Sequence, residues 1–127
     1  MNTDVGLKGD IDVSRSVIGA AFRVANALGV GFLEKVYENA FAVELRLCGH
    51  SVEQQRPIEV RYRNEIVGIY QADLVVDGRL VVELKAVDAL SPSHKSQCLN
   101  YLRACGLHTG LLINFGRPRI EIRRLLA

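Results

Sequence analysis

The sequence predicts an α/β domain, a central mixed β-sheet flanked by helices, and three observations carry that expectation. Apolar residues recur at a 3.6-residue period over residues 10–28, 32–48 and 91–105. Over 52–62, 66–76, 80–85, 108–114 and 119–125 they alternate with polar residues or run together as β-branched stretches. The order that results is helix, helix, three strands in a meander, helix, strand, strand. No repeat, linker or low-complexity segment interrupts it, so residues 1–127 read as a single domain.

Residues 1–9 are polar and glycine-containing and are expected to fray. Asp10, Asp12 and Ser14 are candidate N-caps for a helix with Val17, Ile18, Ala21, Val24, Ala25 and Leu28 on its apolar face, stopped by Gly29. The second helix spans about Phe32 to Cys48 and ends at Gly49. Leu33, Val36, Ala40, Val43 and Leu47 form its expected core stripe, with Glu34, Tyr37, Phe41 and Leu45 on the adjacent stripe. Pro57 marks the first strand as an edge, and Arg63-Asn64-Glu65 turns the chain into the second. Ser91-Pro92 places a cap and an N1 proline before the third helix, which Gly106 terminates. His94, Gln97 and Tyr101 lie near one face of that helix, and Gly116-Arg117-Pro118 joins the last two strands.

Length and composition bound the function. A chain of 127 residues buries about two thirds of its unfolded surface and folds alone. No run is apolar for long enough to cross a bilayer, and no basic, then hydrophobic leader opens the chain, so a cytoplasmic protein without membrane contact is expected. Cys48, Cys98 and Cys105 form no C-x-x-C pair and read as reduced thiols. His50, His94 and His108 are scattered, which leaves a zinc cluster unsupported. A formal charge of +2 and a pI near 8.5 permit nucleic-acid contact without requiring it.

The most informative stretch runs from Gln71 to Lys85, where two aliphatic runs flank Asp77-Gly78, a pair suited to positive φ in a hairpin turn. Alternation puts Ala72, Leu74 and Val76 on one face of the first strand and Gln71, Asp73 and Val75 on the other. In the second strand Leu80, Val82 and Leu84 form the apolar set, and Val81, Glu83 and Lys85 the polar one. A two-residue loop would pair Asp73 with Val82 and send the carboxylates to opposite faces. A three-residue loop over Val76–Gly78, with Gly78 left-handed in a bulge, pairs Asp73 with Val81 and brings Asp73, Glu83 and Lys85 together. Only an odd loop joins the two apolar sets into one packing face, so it is the expected register.

Carboxylates gathered in an apolar setting are costly unless paired. Asp73, Glu83 and the Leu84 carbonyl are hard oxygen donors suited to Mg²⁺ or Mn²⁺, and Lys85 beside them could position or deprotonate a water. The same charges also fit a half-exposed hairpin with a Glu83/Lys85 or Asp73/Lys85 salt bridge. Glu34 alone is explained by the helix dipole and Tyr37 alone by packing.

The order of elements, with D…E-x-K across the hairpin, resembles the PD-(D/E)xK nuclease superfamily and implies its restriction-endonuclease-like core. Gly31-Phe32-Leu33-Glu34-Lys35-Val36-Tyr37 is similar to the signature of the GxxExxY proteins. Tyr70–Val76, Val82–Val87, Gln97–Leu102 and Gly110–Gly116 resemble the family's later blocks, so that the match covers about residues 12–125. The resemblance implies that Asp73, Glu83 and the Leu84 carbonyl hold Mg²⁺ or Mn²⁺, that Lys85 is the motif lysine, and that Glu34 reaches the metal directly or through water. Gln97 and Tyr101 match a Q-x-x-x-Y element found in exonuclease domains of the superfamily and would orient substrate, with Tyr37. Ala72 stands where the superfamily's name has proline, a residue without a chemical role.

The implied activity is metal-dependent hydrolysis of phosphodiester bonds, with DNA the favoured substrate and Arg117, Arg119, Arg123 and Arg124 the best cationic cluster for phosphates. The small size leaves little surface to grip a duplex, which a homodimer would supply. A non-catalytic nuclease-like module, binding nucleic acid or a protein partner, is the alternative.

Overall fold

The computed structural model describes the backbone of residues 3–127 and the side chains of residues 9–127. Helix α1 covers Thr3–Leu28 and α2 covers Glu34–Leu47; strands β1 (Val52–Tyr62), β2 (Glu65–Val76) and β3 (Leu80–Lys85) follow, then α3 (Pro92–Cys105), β4 (Thr109–Asn114) and β5 (Glu121–Leu126). The strands form one sheet in the order β1-β2-β3-β4-β5, in which only β3 and β4 are parallel. That parallel step requires a crossover, and α3 supplies it. The expected α/β fold with a mixed sheet between helices is the observed one.

Two apolar clusters lie on opposite faces of the sheet. Val17, Ala20, Ala21 and Val24 of α1 and Tyr37, Phe41 and Leu45 of α2 pack on Leu74, Val76, Leu80, Val82, Leu84, Leu111, Ile113 and Phe115. Tyr101 and Leu102 of α3 pack on Ile58, Ala72, Val75 and Val81. The inner strands β3 and β4 are therefore covered on both sides, which is why their sequences are almost continuously aliphatic. Gly110 admits α3 at close range, since a Cβ there would stand 3.1 Å from Cys98 Sγ.

Five expectations need correction. Helix α1 begins at Thr3, so Asp10, Asp12 and Ser14 are interior residues rather than caps, and from Thr3 onward the expected frayed stretch is helical. Asp10 and Ser14 are buried toward the sheet, where Asp10 accepts from Arg79 Nε at 3.0 Å and Thr109 Oγ1 at 3.1 Å.

Helix α2 turns the other stripe inward. Tyr37, Glu38, Phe41, Ala42 and Leu45 are buried, while Leu33, Val36, Val43 and Leu47 are exposed. Both stripes have helical spacing, and the larger aromatic one fills the space above the sheet: Tyr37 stacks on Phe115 at 4.9 Å and Phe41 meets it edge-on at 5.9 Å.

The hairpin loop has three residues as expected, but they are Asp77-Gly78-Arg79, because Val76 pairs with Leu80. The register is displaced by one pair, which leaves the parity intact and the polar sets on the same side. Ala72 does not share a face with Leu74; it joins Val75 under α3, so alternation breaks at Asp73.

Asp77 ties this turn to the end of α2. Its φ of 55° is left-handed, its Oδ1 accepts from Ser51 N at 2.9 Å, and its Oδ2 is 2.7 Å from His50 Nδ1. Burial pushes the Asp77 carboxyl up, but the bonds to His50 and Ser51 prevail and hold it below the usual range. The stability it provides is present above the unfolded carboxylate range and is lost as pH falls through the lower folded value. Asp77→Ala is expected to cost about 1–3 kcal/mol, from the lost acceptor and the strained φ, measured as a lowered urea midpoint. Asp77→Asn, which tolerates the left-handed region, should cost less and should remove the part of the acid decline that Asp77 contributes.

Candidate active site

Strands β2 and β3 pair at only three positions, Leu74↔Val82, Val75↔Val81 and Val76↔Leu80, although both continue further. Beyond Leu74↔Val82, side chains bridge them. Asp73 Oδ2 accepts the Leu84 N–H at 2.8 Å, and the Asp73 N–H donates to Glu83 Oε1 at 3.3 Å. On the other flank, where β1 runs past Asp73, Gln55 is left-handed with φ 53° and drops out of the ladder between Gln54↔Leu74 and Arg56↔Ala72. Its amide donates to Asp73 Oδ1 at 3.3 Å and to Glu38 Oε1 at 2.5 Å. A disrupted ladder on both sides re-aims one side chain, and here that side chain is the acid.

Glu38 anchors this arrangement. It is 3% exposed and accepts from Lys35 Nζ at 2.8 Å and Gln54 Nε2 at 2.8 Å as well as from Gln55. A chain of bonds therefore runs from α2 through Gln55 and Asp73 to the backbone of β3. Glu38→Ala would leave three donors short of an acceptor and should lower stability by about 1–3 kcal/mol, measured by urea denaturation. Glu38→Gln, which keeps one acceptor, should recover part of that loss.

The acids share one electrostatic field. Burial pushes the Glu83 carboxyl up to about 9, with the charge of Asp73 and the bond to it adding to the effect and Lys85 opposing it weakly. Glu34 is raised by burial, then by Asp73 and Glu38, against the pull of Lys85. Tyr101 is raised by burial and by Glu83 and Asp73. Burial lifts the Cys98 thiol to about 12, with the same two acids contributing, so it is inert as a nucleophile near neutral pH. Glu34, Glu83 and Tyr101 thus all feel the charge of Asp73, and Glu34 and Glu83 that of Lys85. Among the described residues, no three carboxylate, thiol or imidazole groups form a cluster that could hold a metal ion.

Other expected residues lie elsewhere or act differently. Tyr37 is 1% exposed, and its hydroxyl donates to Gly29 O at 2.5 Å and accepts from Phe32 N at 3.3 Å. Its expected substrate contact is corrected: the ring braces the α1–α2 link and is spent on packing against Phe115. His94 completes a capping box with Ser91 at the start of α3. Gln97 is exposed one turn before Tyr101 and has no hydrogen bond to the acids. Arg117 and Arg119 line a surface groove with Phe22, Ile120 and Ile122; Arg117 pairs with Glu121 at 3.8 Å, and neither arginine is among the charges acting on Glu34 or Glu83.

Three supporting residues escaped the sequence reading. Glu38 lies one turn after Glu34, a spacing that could have exposed it, whereas Gln55 carries no signal in the sequence. Asn114 is fully buried and clamps the segment after Lys85: its amide accepts from Val87 N at 3.0 Å and Gly116 N at 2.9 Å and donates to Val87 O at 2.9 Å. Gly116 permits that contact, since a Cβ would stand 2.3 Å from Val87 O. Gly116→Ala should therefore destabilise the chain by about 1–3 kcal/mol or more, measured as a lowered melting temperature.

The fold and this forked pair of acids define a nuclease-like class of α/β protein. A family model for the PD-(D/E)XK nuclease superfamily matches residues 11–125, and the chain belongs to that superfamily. No curated protein and no solved structure gives a significant match. Nucleases of the superfamily generally use divalent metals. Among the described residues no helix is long and apolar enough to cross a membrane.

Proposed function

We propose that this protein is a metal-dependent nuclease that hydrolyses phosphodiester bonds, of DNA in the first instance, in the cytoplasm. The observation that supports it best is the fork at Asp73, where two strands part, the Asp73 N–H donates to Glu83 Oε1, and burial first and the Asp73 charge second push the Glu83 carboxyl up to about 9. A cation would suit this pair, because both acids are hard oxygen donors and neighbouring like charges call for a counter-charge.

Asp73 and Glu83, with the Leu84 carbonyl, would hold Mg²⁺ or Mn²⁺, and Glu34 would join through a water. Bound there, the cation supplies Lewis-acid stabilisation of charge on a nonbridging phosphate oxygen, worth several kcal/mol. Lys85 Nζ would donate to the attacking water or to the phosphate and so fix the line of attack. Glu34, once ionised, would accept a proton from that water. Tyr101 and Gln97 would orient the substrate from α3, and Arg117 and Arg119 would meet its outlying phosphates. Gln55 and Glu38 hold Asp73 in its rotamer, so their part is positioning.

The absence of a ready three-ligand cluster among the described residues favours a second reading, a non-catalytic module that binds nucleic acid or a protein partner. Calorimetric titration of Mn²⁺ followed by cleavage assays on single-stranded DNA, duplex DNA and RNA decides between them: saturable binding with cleavage supports the enzyme, and no cleavage of any substrate supports the module. A homodimer belongs to the enzyme reading, since one chain of 14.0 kDa offers a duplex little surface. Light scattering would then report twice that mass.

A further inference from the structure

Tyr70 lies three residues before Asp73 on β2, about 10 Å along the strand, and of the exposed aromatics Phe22, Phe32, Tyr62 and Tyr70 it is the one whose ring meets Tyr101. Its cross-strand partner Ile58 is 3% exposed and its ring neighbour Tyr101 is 7% exposed, yet Tyr70 is 49% exposed. The rings of Tyr70 and Tyr101 are 5.4 Å apart and tilted by 45°. Tyr101 in turn lies within the field of Glu83 and Asp73. An aromatic path thus leads from solvent to the acids, and its outer member is held by a contact that leaves half of its surface in water.

We propose that Tyr70 is a stacking platform for an unpaired nucleobase next to the phosphate held at Asp73 and Glu83, so that the substrate is single-stranded nucleic acid or a frayed end. The proposal rests on the nuclease reading and narrows its substrate. A duplex offers proteins base edges in its grooves, whereas an aromatic ring needs the face of an unstacked base. The charge distribution points the same way. A net charge of +2 supports only a weak sequence-independent grip on phosphates. On the hairpin that carries Tyr70, Arg61 is paired with Glu59 at 2.8 Å and the Arg63 guanidinium lies over the Tyr62 ring at 5.7 Å. Base stacking would add affinity to the few phosphate contacts beside the acids, and it tolerates any sequence because every base has a π-face.

The test compares wild type with Tyr70→Ala, Tyr70→Leu and Tyr70→Phe, using a labelled single-stranded oligonucleotide and the duplex of the same sequence. Binding is read by fluorescence anisotropy in Ca²⁺, and cleavage by steady-state kinetics in Mn²⁺. Loss of the ring should weaken single-strand binding roughly 5- to 100-fold and raise KM with kcat little changed, while Tyr70→Phe behaves as wild type. Tyr70→Leu keeps apolar cover over Tyr101, so an equal loss in that variant, with an unaltered circular dichroism spectrum, assigns the effect to stacking rather than folding. Single-strand binding by Tyr70→Ala or Tyr70→Leu equal to wild type overturns the proposal, and if wild type still cleaves, the nuclease reading survives it. A wild type that neither binds nor cleaves either oligonucleotide overturns both.

Discussion

Asp73→Asn is expected to remove saturable Mn²⁺ binding and to lower phosphodiester hydrolysis by roughly 10²–10³-fold or more, the range seen when one preorganised charge-stabilising group is lost. The substitution suits the site because it separates charge from shape. An asparagine oxygen can still accept the Leu84 N–H that Asp73 Oδ2 holds at 2.8 Å, so the fork between β2 and β3 should persist. What disappears is the negative charge that acts on both Glu34 and Glu83, together with the Oδ1 acceptor for the Gln55 amide. Two measurements check this, calorimetry for the metal and single-turnover cleavage for the chemistry. A variant that binds Mn²⁺ as wild type does would leave the proposed function without its site. Asp73→Ala, by contrast, strands the Leu84 N–H and should also cost about 1–3 kcal/mol of stability.

The second large effect is on stability against pH. Glu83 titrates near 9 in the folded chain and near 4.5 when unfolded, so over that interval the native state holds one proton more than the unfolded state. The stabilising proton is fully bound below the unfolded value, and the contribution is lost as pH rises through the folded one. In metal-free protein each pH unit within the interval should remove up to about 1.4 kcal/mol, the most that one proton can contribute. Urea midpoints measured between pH 5 and about pH 9 should therefore fall steadily. Glu83→Gln, which stays neutral, should flatten the profile, and Mn²⁺ should reverse its slope, because the metal competes with the proton for the same oxygens. A metal-free profile that is flat across this range would mean that Glu83 is ionised when buried, and the crowding of the two carboxylates would then lack its expected consequence.

Both expectations concern residues that could be singled out from the chain alone. Strand alternation is local: it sends Glu83 and Lys85 to one side of β3, and the need for one continuous apolar face selects an odd loop that brings Asp73 to the same side. The displacement of that loop by one pair, to Asp77-Gly78-Arg79, was not legible, because two odd registers have the same parity and differ only in which residues accept positive φ. Helix α2 shows the same limit. Its two stripes have equal periodicity, and the choice between Leu33/Val36/Val43/Leu47 and Tyr37/Phe41/Leu45 was made by the space over Phe115. With the other stripe taken as core, Glu38 gave no sign of being a buried acid, and the substrate contact of Tyr37 that the resemblance implied was not weighed against a ring packed on Phe115.

The amino-acid sequence by itself determined the helices and strands, their order, and the shared side of Glu83 and Lys85 on β3, since these follow from spacing between near neighbours. Tertiary structure alone decided that Gln55 would leave its ladder to reach Asp73, that Glu38 would anchor it from α2, and that Asn114 and Gly116 would clamp the segment behind Lys85. Those contacts join residues 17 to 29 positions apart. Their geometry depends on how layers of the fold meet, and no local period encodes it.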